Sequence, residues 1–344
     1  APGRDVKQPM LLKELERLHH YHINNCPPYA RIAHVLQHGA FNKVEDIPFL
    51  PVSAFKNFEL KSIPDDKVYK TLTSSGTTGS VPSKIFLDAE TARNQTLALA
   101  KIMQFVLGKQ RLPMLIVDSD ALLKNRQMFS ARGAGVVGMS TFGKDHFYML
   151  DENMQVKESG LKEFLNKYNG QKILIFGFTF MLWLHLYQQE FAGKIDLSNA
   201  ILIHSGGWKK LVEQSVTNEI FKQKLHEKFG LQHSYNFYGM VEQVGSVFVE
   251  CEHGFLHTPN FADVVTRRAE DFSAAAFGEE GLLQVVSILP ESYPGHSLLT
   301  EDLGVIHGED DCRCGRKGKY FSVKGRVKKA ELRGCSDTYA VSVA

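Results

Sequence analysis

Residues 69–88 read YKTLTSSGTTGSVPSKIFLD. From Thr73 to Ser80 every side chain is small, and two of the residues are glycine. A loop of this composition lets backbone N–H groups and hydroxyls close around phosphate oxygens. Gly76 and Gly79 allow backbone conformations that other residues resist. Lys84 follows and supplies a positive charge beside such a cradle. The stretch lacks the G-K-[S/T] ending of a Walker loop. Composition alone also suits a plain Ser/Thr/Gly surface loop, so the residues around it have to decide.

Working outward, Asp88 is placed to cap a helix over 89–107 that ends at Gly108. Three short apolar runs, 112–117, 173–176 and 200–204, read as buried strands. Helical stretches are expected at 161–168, 180–191 and 208–228. Strands alternating with helices predict an α/β fold with a largely parallel sheet. Toward the N-terminus, Met10, Leu11, Leu15, Leu18 and Tyr21 fall at helical spacing, which predicts an amphipathic helix over 8–23 stopped by Pro27-Pro28. Beyond about residue 245, short runs such as 282–289 and 304–307 are separated by Gly, Asp and Pro. The sequence thus divides into an α/β core with the phosphate loop (1–245), a β-rich portion (246–325) and a tail (326–344).

Composition narrows the function. The 344 residues carry 40 Lys+Arg against 38 Asp+Glu, a net charge of +2, which argues against a basic nucleic-acid groove. With 43% hydrophobic and 23% charged residues, the chain is ordinary globular protein rather than disordered, collagenous or a membrane bundle. The longest uncharged run, 173–189, has 17 residues and contains Gly177, Thr179 and His185. It reads as a strand and a helix, not as a membrane span. Five cysteines, Cys26, Cys251, Cys312, Cys314 and Cys335, form an odd, sparse set expected to be reduced. With no secretory pattern in the opening residues, the expected compartment is cytoplasmic.

Further motifs follow the loop in order. SSGTTGSVPSK, from Ser74 to Lys84, resembles the phosphate-binding loop of the adenylate-forming superfamily. HSGGW, with Gly206 and Gly207, closes a strand as that superfamily's adenine-contacting segment does. YNFYGMVEQVG (235–245) is similar to its Y-G-x-T-E segment, LLTEDLG (298–304) to its Y-x-T-G-D segment, and Gly325-Arg326-Val327-Lys328 to its hinge. Each match is weak alone, but five in the right order are specific. The resemblance implies an adenylate-forming body with mixed sheets flanked by helices and a β-rich C-terminal portion. It implies ATP and Mg²⁺ as cofactors. Thr73, Ser74, Ser75, Gly76, Thr77, Thr78 and Gly79 would hold phosphate, with Lys84 beside them. Tyr238-Gly239 would lie against adenine, Glu242 would hold Mg²⁺, and Asp302 and Arg326 would reach the ribose. Val241 stands where a threonine is usual, which leaves one phosphate contact open. In the implied reaction a carboxylate attacks the α-phosphorus of ATP and expels pyrophosphate. Charge then builds on phosphate oxygens, so donors and a metal must already be aimed there.

Most of that superfamily carries a C-terminal lid with a catalytic lysine, whereas the hinge-like Gly325-Arg326 lies close to the end of this sequence. The lid is therefore expected to be absent or truncated. The ending GRVKKAELRGCSD, with the N-terminal helix, HSGGWK and FYGMVEQVG, resembles the acyl-protein synthetase (LuxE-type) family over nearly the whole chain. That resemblance implies activation of a fatty acid as acyl-AMP, transfer to the Cys335 thiol, and delivery to a partner acyl reductase. Lys328, Lys329 and Arg333 are placed to lower the pKa of that thiol. Two other readings remain open: an acyl- or aryl-CoA ligase with a truncated lid, and a nucleotide-binding partner subunit without catalysis.

Cys251, His253 and His257 lie near one another, and Cys312-Arg-Cys314 follows. Three thiolates and a histidine complete a tetrahedral zinc site. The related phenylacetate-CoA ligase branch carries similar segments, which implies a structural Zn²⁺. His257 is preferred to His253 because the longer spacing lets the chain turn back. The competing reading is reduced core cysteines with surface histidines. His19, His20, His22, His34 and His38 are expected at the surface or at helix boundaries. FGFTF (176–180) follows a strand, where α/β sites lie, and fits either an acyl pocket or plain core. Arg126 and Arg132 flank a glycine-rich stretch, 133–143, to which the sequence gives no role.

Overall fold

The computed structural model describes residues 2–36, 40–74, 82–124, 131–208 and 214–327. Ser75, Gly76, Thr77, Thr78, Gly79, His38, Arg126, Lys328, Lys329, Arg333 and Cys335 lie outside the described residues. The described residues fall into two compact units, 2–102 with 238–327, and 103–237. The first hundred residues thus share a unit with residues 238–327.

In the first unit, α1 (Arg4–Asn25) buries Lys7, Leu11, Leu15, Leu18, His19 and His22. Apart from His19, these sit three or four residues apart and form one helical stripe. Met10 is 40% exposed and Tyr21 half-buried, so the inward face is rotated from the expected one. The Cys26 N–H bonds back to the His22 carbonyl, and Pro27 opens α2 (Pro27–Leu36). Proline suits a helix start because its missing N–H has no helical partner there. Pro27-Pro28 thus both separates and restarts helix.

After β1 (Leu50–Pro51) and α3 (Ala54–Asn57), an antiparallel hairpin forms from β2 (Lys70–Thr73) and β3 (Lys84–Leu87). Then α4 (Ala89–Leu107) begins where Asp88 Oδ1 accepts from the Thr91 N–H at 2.8 Å. It ends before Gly108, whose φ of 81° is left-handed, as expected of a helix-stopping glycine.

The second unit alternates strand and helix. In chain order it comprises β4 (Leu112–Ser119), α5 (Ala121–Lys124), α6 (Ala131–Ser140), β5 (Gly143–Leu150) and α7 (Glu158–Lys167), then β6 (Ile173–Phe178), α8 (Thr179–Leu182), β7 (Ala200–Ser205), α9 (Asn218–Phe229) and β8 (His233–Tyr238). The sheet order is β5-β4-β6-β7-β8, with every pairing parallel. The chain leaves β4 for β5 on one side and returns as β6 on the other. The carboxyl ends of β4 and β6 therefore form a topological switch point. The helix expected at 180–191 is shorter: α8 passes into a π turn, Trp183–Tyr187, and stops. The one expected from 208 starts at Asn218, where Thr217 Oγ1 accepts from the Ile220 N–H. The glycine-rich stretch 133–143 becomes α6 and the start of β5. Its glycines permit close packing: a Cβ on Gly143 would sit 2.5 Å from Met114, and one on Gly135 3.1 Å from the Phe178 ring.

The chain then completes the first unit with β9 (Phe248–Glu250), β10 (Leu256–His257), β11 (Ala262–Arg267), β12 (Glu280–Ser287), β13 (Ser297–Glu309) and β14 (Lys319–Arg326). Their order is β11-β12-β13-β14-β10-β9, antiparallel throughout, with β1 added parallel to β13. Cys26, Tyr29, Phe55 and Ile85 share one core with Phe248, Leu283, Leu298 and Phe321. A sheet needs apolar cover, and the N-terminal helices and hairpin supply it here.

Two buried polar clusters anchor α1. Lys7 Nζ donates to Thr258 Oγ1 at 2.7 Å and lies 3.7 Å from Asp263, whose other oxygen is 3.2 Å from Lys319 Nζ. His19 Nδ1 pairs with the Tyr29 hydroxyl at 2.8 Å, and that hydroxyl lies 3.2 Å from His296 Nε2. His19 and His22 are fully buried, against the expectation of surface positions. The stripe carries His22 inward, where Ser62 Oγ and the Pro290 carbonyl meet its two ring nitrogens, and His19 beside it meets the Tyr29 hydroxyl through Nδ1.

Candidate functional site

The hairpin presents the phosphate-loop ends. Thr73 pairs in register with Lys84, and both are exposed. Beyond them the Ser74 N–H donates to the Ser83 carbonyl at 3.0 Å, and the Ser83 N–H donates to Ser74 Oγ at 2.8 Å. This double closure fixes where the loop leaves and re-enters the strands.

In the second unit, Gly206 follows β7 with φ of 85°, and a Cβ there would come 3.2 Å from the Phe178 ring. Glycine is thus required for both conformation and space. Ser205 Oγ donates to the Phe237 carbonyl at 2.7 Å and ties this turn to β8. Gly207 follows with open space where a side chain would begin. A cavity of about 80 Å³ lies beside the turn, lined by Thr179, His204, Gly206, Trp208, Phe221 and Asn236. Of the FGFTF stretch only Thr179 reaches it; Phe176, Phe178 and Phe180 are buried in the core. At the switch point, Asp118 at the end of β4 is buried, with Arg132 Nε 3.2 Å from its Oδ2. Burial pushes the Asp118 carboxyl up to about 6 against the pull of Arg132. The sequence reading singled out Arg132 without a partner.

In the first unit, Tyr238, Asp302 and Arg326 come together from three strands. The Tyr238 hydroxyl donates to Asp302 Oδ2 at 2.7 Å, and Arg326 Nε lies 3.6 Å from Asp302 Oδ1. Asp302 and Arg326 are register partners across β13 and β14. Past Tyr238 and Gly239, a short helical turn, Val241–Gln243, carries Glu242. Gln243 holds that turn by donating to the carbonyls of Val285 and Gly295, at 3.1 and 2.8 Å. Glu242 is 7% exposed, and burial pushes its carboxyl above the usual carboxylate range. A buried carboxylate of this kind gains from a divalent cation, so Glu242 fits a Mg²⁺ ligand and not a solvated surface charge.

The metal candidates also converge. Among the described residues, the ligand atoms of Cys251, His257, Cys312 and Cys314 all lie within 4.8 Å of one another. Two turns build the cluster. The Cys251 carbonyl accepts from the Gly254 N–H, with Gly254 at φ 83°; the Cys312 carbonyl accepts from the Gly315 N–H, with Gly315 at φ 77°. His257 Nε2 is 3.3 Å from Cys314 Sγ, and its ring stacks on Tyr320. His253 is not part of the group. Burial pushes the Cys312 thiol up to about 12, with the neighbouring sulfurs adding to the rise. Three sulfurs and an imidazole at this spacing suit Zn²⁺, which offsets the cost of thiolates in a buried place.

The fold and these clusters define the class. The structure of 2-hydroxyisobutyryl-CoA ligase in its postadenylation state, with 2-HIB-AMP, superimposes with a TM-score of 0.70 over 94% of this chain and 69% of that one, at 14% identity. ATP-bound MatB from Rhodopseudomonas palustris gives 0.51 over 77% of this chain and 49% of that one, also at 14% identity. The fold is that of an adenylate-forming enzyme body. The family model described as acyl-protein synthetase, LuxE, matches residues 4–343. The chain belongs to this family of ligases. Among its relatives are two proteins named long-chain-fatty-acid–luciferin-component ligase. The one from Vibrio harveyi is 26% identical, over 92% of this chain and 83% of its own length; the one from Aliivibrio fischeri is 24% identical, over 83% and 76%. Among the described residues, no helix is long and apolar enough to cross a membrane.

Proposed function

We propose that the protein activates a long-chain fatty acid with ATP and passes the acyl group to a cysteine. The carboxylate oxygen attacks the α-phosphorus of ATP, pyrophosphate leaves, and acyl-AMP forms. The Cys335 thiolate then attacks the acyl carbon, AMP departs, and a protein thioester remains for a partner acyl reductase. The observation that carries the reading is the meeting of Tyr238, Asp302 and Arg326, far apart in sequence and hydrogen-bonded or ion-paired in space. It accompanies a family match over residues 4–343.

Each residue has a role in this reading. The Thr73–Ser74 and Ser83–Lys84 ends fix the hairpin tip at which residues 75–79 meet the phosphates. Gly206 and Gly207 leave an open backbone edge, and Tyr238 offers its ring to the base. Asp302 and Arg326 receive the ribose. Glu242 holds Mg²⁺, which when bound neutralises charge on the phosphate oxygens. Cys251, His257, Cys312 and Cys314 hold Zn²⁺, which ties β9 and β10 to the turn before β14 without entering the chemistry. Buried thiols kept as metal ligands suit a reducing compartment, here the cytoplasm.

Exchange of labelled pyrophosphate into ATP, with fatty acids of graded length, tests the reading. Exchange that depends on acid and Mg²⁺ and needs no CoA is expected. AMP formation only with CoA would turn the assignment to an acyl-CoA ligase. No exchange with any carboxylate would leave a nucleotide-binding subunit.

A further inference from the structure

Tyr238 is more than a flat ring for the base. Its ring is fixed by two phenylalanines, with the Phe248 and Phe321 centroids each about 6 Å away. So held, its hydroxyl meets Asp302 Oδ2 at 2.7 Å. The same carboxylate is fixed from its other oxygen by Arg326 at 3.6 Å. Its backbone is pinned as well: the Asp302 N–H donates to Thr300 Oγ1 at 3.1 Å, and that hydroxyl donates to the Leu283 carbonyl at 2.8 Å. The Asp302 side chain keeps 18% of its surface open. An ionised carboxylate offers about four acceptor positions, so one phenol and one guanidinium leave room for two adjacent hydroxyls.

We infer that the Tyr238 phenol is a positioning residue for sugar recognition: it holds Asp302 in the rotamer that reads the ribose hydroxyls of the nucleotide. The inference rests on the proposed nucleotide site and adds the cause of its preference for ribose over deoxyribose. Removing the phenol leaves the ring against the base but frees Asp302 to turn toward Arg326. The hydroxyls then lose an oriented acceptor, while the base keeps its stack. Tyr238→Phe therefore damages discrimination between sugars more than it damages binding itself. A residue that only supported the fold would weaken all nucleotides alike.

The test is equilibrium binding of ATP, 2′-deoxyATP and 3′-deoxyATP to the full chain and to Tyr238→Phe, Asp302→Asn and the double variant. In the unaltered protein ATP should bind roughly ten- to a hundredfold tighter than the deoxy analogues, the range for hydrogen bonds to a charged group. Tyr238→Phe should bring that ratio below about threefold while moving deoxyATP affinity by less than about threefold, which also shows that the variant is folded. On Asp302→Asn it should change the ratio no further. Equal weakening of all three nucleotides by Tyr238→Phe, or a preserved ratio, overturns the inference and leaves the nucleotide site standing. Failure of the unaltered protein to bind any of the three overturns the proposed function itself.

Discussion

Replacing His22 by glutamine should make the first unit less sensitive to acid. His22 Nε2 faces the Pro290 carbonyl at 3.2 Å, and a carbonyl only accepts, so that nitrogen carries the proton. Nδ1, 2.7 Å from Ser62 Oγ, then accepts from the serine hydroxyl. The ring is neutral, and burial lowers its pKa to about 3 from an ordinary 6.5. The sign follows: below 6.5 the unfolded chain binds a proton that the folded chain refuses. This contribution is complete above 6.5 and is lost as pH falls toward 3. The slope is about 1.4 kcal/mol per pH unit. Between pH 6.5 and about pH 4.5 the parent protein should lose ~2.3 kcal/mol at this residue, and His22→Gln nothing. Near pH 7 the variant should start about 1 kcal/mol lower, for the lost serine hydrogen bond. The two curves should therefore cross. Both tryptophans, Trp183 and Trp208, lie in the other unit, so fluorescence is the wrong probe. Hydrogen exchange of peptides from α1, corrected for intrinsic rates, reads the right region. Titrating groups remote from His22 cancel in the difference, while His296, stacked on His22, is relieved of that neighbour's charge in the variant, which also lowers its acid sensitivity. Parallel loss of protection by parent and variant from about pH 7 to pH 4.5 would refute the reasoning.

Three further outcomes follow from the geometry. Gly245 has φ of 85°, and a Cβ there would meet the Gln95 carbonyl oxygen at 2.7 Å and its Cα at 2.8 Å; Gly245→Ala should cost about 2–4 kcal/mol in chemical denaturation and lower activity through the nearby Glu242 turn. Glu242→Gln should reduce pyrophosphate exchange at least roughly a hundredfold at saturating Mg²⁺, since it removes a fixed charge at the metal. Cys312→Ser, or prolonged chelation of the parent, should lower zinc per chain measured by elemental analysis and increase hydrogen exchange in β9, β10 and β14.

The residues proposed for the nucleotide stood out because such chemistry forces unusual local sequence. Glycine is favoured at Gly206 by a left-handed turn and by the close approach of Phe178. The metal quartet was legible for a similar reason: few cysteines, held in tight turns, leave few pairings. The parallel sheet showed in 112–117 and 173–176, which are apolar throughout because helices cover both faces. What stayed hidden depends on partners remote in sequence. His19 and His22 read as surface residues because a histidine's polarity does not disclose that Tyr29 meets one and Ser62 and Pro290 the other. Lys7 sits on an otherwise apolar stripe because Asp263 and Thr258 meet it from a sheet some 250 residues away. Arg132 was visible beside the glycines, but only the turn of the chain from β4 into α6 brings it to Asp118. No role was readable for the glycines of 133–143; the close approach of Phe178 to Gly135 in α6 and of Met114 to Gly143 in β5 accounts for two of them.

The central claim is that the acid is activated by direct attack of its carboxylate on the α-phosphorus of ATP. A long-chain fatty acid labelled with ¹⁸O in both carboxylate oxygens tests it in one turnover. One labelled oxygen becomes the bridge of acyl-AMP and leaves with AMP when the thiol takes the acyl group. Mass spectrometry of the AMP should then find one ¹⁸O per molecule. Unlabelled AMP would contradict the account, because the carboxylate would not have been joined to the α-phosphorus.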